Sequence, residues 1–192
     1  MNKNIFLQIQ ELSKNIANSW RMSRGIAPDT VANKMDLAMF DWMCELTDAL
    51  EIWINKGCSM SDGELILART NLGSLVEFWL RFFYCVYYED YIKNPFAKKG
   101  KVLDPDDRDM SFEYLKQHSL GILWDDTQDP VCQWVEKIQH YRNAIHSFRF
   151  RAIGTPNDFL FDIEKYLEFI EMIIGRLPPI EEYRIELLSD CY

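Results

Sequence analysis

Apolar residues recur three and four positions apart along nearly the whole chain, and almost no stretch alternates, so the pattern predicts helices rather than strands. Ile5, Ile9, Leu12 and Ile16 share one helical face, and Gly25 and Pro28 end that segment. A second helix, capped by Asp29 or Thr30, carries Val31, Met35, Ala38, Trp42, Leu46, Ala49 and Trp53 and stops at Gly57. A third, capped by Ser61 or Asp62, carries Leu65, Ala68, Leu72, Leu75, Trp79, Phe82 and Val86. It is the longest and most apolar stripe, so it belongs at the centre of the fold. Its Trp79, Phe82 and Phe83 are read as core rather than as a base-stacking platform.

Asn94 and Pro95 close that helix, and residues 95–109 form a long loop. A loop of that length in a compact bundle is often functional or mobile. Its aspartates do not make a calcium loop, since Asp109 stands where glycine is needed and Leu115 where glutamate is needed. A shorter helix is expected over 111–123. Asp129 followed by Pro130 starts another, with Val131, Trp134, Ile138, Tyr141, Ile145 and Phe148 on its stripe. Thr155 and Pro156 open the last long helix, bearing Phe159, Ile163, Leu167, Ile170, Ile174 and Leu177, which Pro178 and Pro179 stop. Residues 179–192 are a C-terminal tail with room for a short helix. The expected fold is all-α, a single domain over 1–192. Its architecture is an antiparallel up-and-down bundle of four long helices plus shorter ones.

Composition narrows the setting. The chain has 192 residues and 14% aromatics, which argues against disorder. The most apolar run, 75–88, is interrupted by Glu77 and Arg81, so no membrane span is expected. Five cysteines, an odd number without a C-x-x-C pair, read as reduced thiols and place the protein in the cytoplasm. Three histidines and no cysteine pair leave no expected metal site, and no cofactor motif is present.

The net charge of −9 repels nucleic acid as a whole, but it is unevenly spread. Residues 131–154 hold Lys137, Arg142, Arg149 and Arg151 against one acid, Glu136, and sum to +3. Within that stretch Arg142 and His146 lie four apart, about 40° apart on a helix, at the edge of the apolar stripe, while His140 falls on the far side. Histidine exchanges protons near neutrality, and arginine is an always-charged fork suited to phosphate. Together they suit metal-free RNA cleavage: His146 moves the proton of the 2′-hydroxyl or leaving oxygen, Arg142 stabilises phosphoryl charge, and Asn143 orients either partner. Lys137, Arg149 and Arg151 are the candidate phosphate or RNA contacts. Arg149 and Arg151 alternatively suit a nucleotide. The same cations also serve simply to solvate a helix end.

At these residues the chain resembles the HEPN superfamily, whose hallmark is an arginine, often followed by asparagine, with a histidine further along one helix. Arg142, Asn143 and His146 look like that motif. Three residues separate Arg142 from His146, where active members place four to six. The stretches Ala68-Arg69-Thr70-Asn71-Leu72-Gly73-Ser74-Leu75-Val76-Glu77, Tyr87-Tyr88-Glu89-Asp90-Tyr91, Arg142-Asn143-Ala144-Ile145-His146 and Arg176-Leu177-Pro178 also resemble an uncharacterised bacterial group of similar size. The resemblance implies a helical bundle that forms a homodimer, with a composite site of Arg142, Asn143 and His146 from two subunits. Its implied activity is a metal-independent ribonuclease of phage defence, toxin–antitoxin pairs or stress, with a neutralising protein partner. Inactive members imply a dimerisation or protein-interaction module instead.

Overall fold

The computed structural model describes residues 3–146 and 148–178, so the tail expected over 179–192 lies outside the described residues. The elements are α1 (Lys3–Arg21), α2 (Asp29–Leu37), α3 (Phe40–Lys56), α4 (Asp62–Val86), α5 (Tyr88–Tyr91), β1 (Ala97–Lys98), β2 (Lys101–Val102), α6 (Phe112–His118), α7 (Pro130–Arg142) and α8 (Pro156–Ile174). The protein is therefore mostly helical. The 25-residue α4 is its axis: α2, α3, α6, α7 and α8 all pack against it, and α1 lies on α3 and α8. Every residue of the expected α4 stripe, from Leu65 to Val86, is buried.

The helix starts obey local chemistry. Ser61 Oγ accepts from the Glu64 amide while the Glu64 carboxylate accepts from the Ser61 amide, a reciprocal pair that satisfies two otherwise unpaired donors. Thr155 and Asp158 make the same arrangement ahead of α8. Asp129 caps α7, with Pro130 in the first turn. At α2, by contrast, neither Asp29 nor Thr30 caps; the N-cap is Pro28, without a side-chain bond.

The expected second helix is in fact two. Ala38 is extended and Met39 is non-helical, which breaks the run between α2 and α3 and rephases all of α3. Phe40 turns into the core against Phe78 and Phe82, with ring centroids 5.9 and 5.8 Å away. Phe40, Met43, Thr47 and Leu50 form the buried face, and Trp42, expected inside, is 62% exposed. The 95–109 loop holds the β1–β2 hairpin, turned by Lys99 and Gly100, both at positive φ as the tightest hairpin turns require. Beyond it, Arg81 of α4 donates to the carbonyls of Pro105, Asp107 and Met110, and Lys34 bridges Asp104 and Asp106 at 2.6 and 2.8 Å. These bonds fasten the loop to α2 and α4. The helix expected over 111–123 ends at His118.

The His118 ring packs between Tyr84 and Tyr91, each 4.9 Å away between centroids, and burial lowers its pKa below the ordinary 6.5. The unfolded chain therefore binds that proton more readily than the folded one, so this group removes stability as pH falls through its unfolded pKa. The urea midpoint is expected to drop between pH 7 and pH 5, and His118→Gln is expected to reduce the drop. An unchanged drop would show that His118 is not its source.

Candidate functional site

α7 brings Arg142 onto α4. Its guanidinium meets Glu77, with Nη2 to Oε2 at 2.7 Å, and the other Glu77 oxygen is held by Arg81 at 2.9 Å. The Arg142 stem crosses α4 at Gly73. A Cβ on that glycine would stand 2.5 Å from Arg142 Cβ and 2.9 Å from Cγ, too close for any side chain. The clash falls at the root of the arginine, which cannot swing aside, so relief requires moving α7. Gly73→Ala is expected to cost about 1–3 kcal/mol, as overpacking does, although alanine is the better helix former by about 1 kcal/mol. Chemical denaturation measures the balance; equal or higher stability would mean that α7 yields freely.

The expected α7 stripe does not reach Phe148. The α-helix ends at Arg142, and Asn143–His146 tighten into a 3₁₀ turn. A 3₁₀ step turns about 120° rather than 100°. Four such steps rotate His146 about 80° further from Arg142 than a continuous helix would. Asn143 is the half-buried C-cap, Ala144 alone seats the turn in the core, and Ile145 and His146 are exposed. Among the described residues no hydrogen bond or ring contact joins Arg142 to His146. The shared face that uninterrupted helix spacing suggests is thus divided: Arg142 faces Glu77 and His146 faces solvent.

Lys137 also turns inward. Its Nζ lies 2.5 Å from Oδ1 of Asp162 on α8, which also accepts from Trp134 Nε1 at 2.9 Å and, through Oδ2, from Arg69 of α4. Arg69 and Asp162 side chains are completely buried. Arg69 continues by donating Nε to the Ile153 carbonyl at 3.1 Å, and its guanidinium lies 4.4 Å from the Tyr141 ring centroid. It thereby pins the chain just after the exposed segment 148–152.

With Lys137 paired to Asp162 and Arg142 to Glu77, the outward positive charge of this region comes from Arg149 and Arg151. Both line one cavity of about 450 Å3, together with Phe150, Ile66, Ala144 and the opposing acid Asp62. Phe148 and Phe150 alternate with them and are 94% and 95% exposed. Alternating exposed phenylalanine and arginine offer ring faces for stacking and cations for phosphate.

Sequence reasoning gives no role to the residues that organise this region, Glu77, Gly73, Arg69 and Asp162, although the first three lie in the stretch Ala68 to Glu77 that carries part of the resemblance. Two of them carry a readable signal. Arg69 falls in the spacing Leu65, Ala68, Arg69, Leu72, and Asp162 in Phe159, Asp162, Ile163, Tyr166, so each charge stands at a core position of its helix. Among the described residues no three His, Cys, Asp or Glu side chains group as metal ligands, and no helix is long and apolar enough to cross a membrane. No family model, curated protein or solved structure matches the chain.

Proposed function

We propose that this chain is a cytoplasmic HEPN-like protein that acts on single-stranded RNA without metal, as a homodimer of up-and-down helical bundles. The observation that carries the reading is the outward run after α7: exposed His146, then Phe148, Arg149, Phe150 and Arg151. In this reading Arg149 and Arg151 hold phosphates, the phenylalanines receive bases, and His146 moves the proton of the 2′-hydroxyl or the leaving oxygen. Arg142, Asn143 and His146 of both subunits make up the composite site, and in each chain Arg142 must exchange Glu77 for the phosphate to take part. The purified protein is expected to cut single-stranded RNA in EDTA and leave 2′,3′-cyclic phosphate ends. Intact RNA at every protein concentration would overturn the enzymatic reading.

A second reading has its own support. The Glu77–Arg142 ion pair neutralises the arginine that catalysis would use, which suits an inactive dimerisation or protein-interaction module. It predicts a stable dimer without nuclease activity, and a neutralising protein partner is then not needed.

A further inference from the structure

On the reading that the run after α7 holds single-stranded RNA, we infer that the cavity beside it takes one base of the strand, and that Asp62 selects guanine as that base. The cavity, about 450 Å3, is lined by Arg149, Phe150 and Arg151 of the exposed run, by Ala144 of the turn before it, and by Asp62 and Ile66 of α4. Asp62 and Ile66 stand four apart, one turn of α4, and so share a face. Ile66 is half-buried and Asp62 exposed. That face offers carbon surface for the flat body of a base and a carboxylate for its edge, while Phe150, 95% exposed, supplies a ring to stack on.

Phosphate binding alone does not account for the carboxylate. Arg149 and Arg151 attract phosphate, and an acid in the same cavity weakens that attraction. Yet no hydrogen bond or ion pair reaches the Asp62 side chain among the described residues, so neither arginine neutralises it. Capping does not use it either, since Ser61 and Glu64 make the reciprocal pair ahead of α4. An ionised carboxylate only accepts, so an occupant must bring donors. Within a strand the 3′-oxygen is esterified, which leaves the ribose one donor, the 2′-hydroxyl; the others belong to the base. On their Watson–Crick edges adenine and cytosine set one amino donor beside a ring-nitrogen acceptor, and uracil sets one donor between two carbonyls. Guanine alone presents two donors side by side, N1–H and N2–H, which match the two carboxylate oxygens as an arginine fork does. The other bases turn an acceptor toward Asp62 and leave it unpaired, at a cost. The charge agrees as well: Arg149 and Arg151 against Asp62 leave +1, which one phosphodiester balances.

The test uses the full chain and strands with 2′-O-methyl riboses, which cannot be cut through the 2′-hydroxyl and in which only the base donates. An all-uracil strand is compared with the same strand carrying one guanine, adenine, cytosine or hypoxanthine, the last being guanine without its 2-amino group. Fluorescence anisotropy is expected to show the guanine strand bound about 5- to 150-fold tighter than the adenine, cytosine and uracil strands, the worth of one good bidentate base contact. The hypoxanthine strand is expected to lose most of that advantage. Asp62→Asn, which keeps the size of the side chain but only one of its two acceptors, is expected to weaken the guanine strand and leave the others as they were. Equal binding of all five strands would overturn the guanine assignment and leave the RNA reading standing. A guanine preference that survives Asp62→Asn would overturn the role of Asp62. Binding of no strand at any protein concentration would overturn the RNA reading, and the base pocket with it.

Discussion

Asp162→Ala is expected to lower the stability of the fold by about 3–5 kcal/mol, the usual cost of removing one partner of a buried ion pair. The carboxylate has no exposed surface and accepts from Arg69, Lys137 and Trp134 at once. Its loss strands the Arg69 guanidinium, whose Nη2 already lacks a hydrogen-bond partner, in a site closed to water. It also strands the Trp134 indole N–H, while Lys137, a third exposed, can turn to solvent. Against a typical total of about 5–15 kcal/mol, the variant stands near the edge of folding. Urea denaturation measures the change. A loss below about 1 kcal/mol would mean that water reaches Arg69. Because total unfolding would be uninformative, Asp162→Asn serves beside it: it keeps two groups of similar size in place, removes the charge, and is expected to fall between the two. A second control is Arg69→Met combined with Asp162→Leu, which removes both charges and is expected to recover part of the loss.

That cluster marks where sequence and structure part. Stripe spacing and cap residues locate the starts of α4, α7 and α8, at Ser61 or Asp62, Asp129 and Thr155, because a start rests on interactions within four residues; they overrun the ends, since α4 stops at Val86 rather than at Asn94 and α7 at Arg142 rather than at Phe148. Stripe spacing places Trp42 and Leu46 inside because nothing local announces that two residues, Ala38 and Met39, leave the helix; only the long-range fit of Phe40 against Phe78 and Phe82 determines that break. The candidate site divides in the same way. The basic, aromatic run at 146–151 is legible as composition. What turns Arg142 inward is not, because Gly73 and Glu77 lie about 70 residues earlier and act only once α7 crosses α4. Lys137 reads as a phosphate candidate because its partner Asp162, 25 residues on, is an acid that helical spacing hides among core positions.

His146→Ala is the substitution that separates the two functional readings, and it can do so because the residue is exposed. Removing a general acid or base typically slows a reaction about 10²- to 10⁴-fold. If His146 moves the proton, RNA cleavage in EDTA falls by that range while the denaturation midpoint stays where it is. Arg142→Ala cannot give so clean an answer, since it also breaks the pair with Glu77 and empties the crossing at Gly73; its activity must be read beside its stability. Lys137→Ala is expected to lower stability and leave RNA affinity unchanged, because that cation faces Asp162 rather than solvent. Arg149→Ala and Arg151→Ala should act in the opposite sense: stability unchanged, RNA binding weakened, and the salt dependence of binding shallower by about 0.7 for each phosphate no longer neutralised on a single strand. Equal cutting by His146→Ala would remove the histidine from catalysis. Unchanged salt dependence in both arginine variants would remove the exposed segment from RNA binding, and the exposed phenylalanines would then belong to a protein interface.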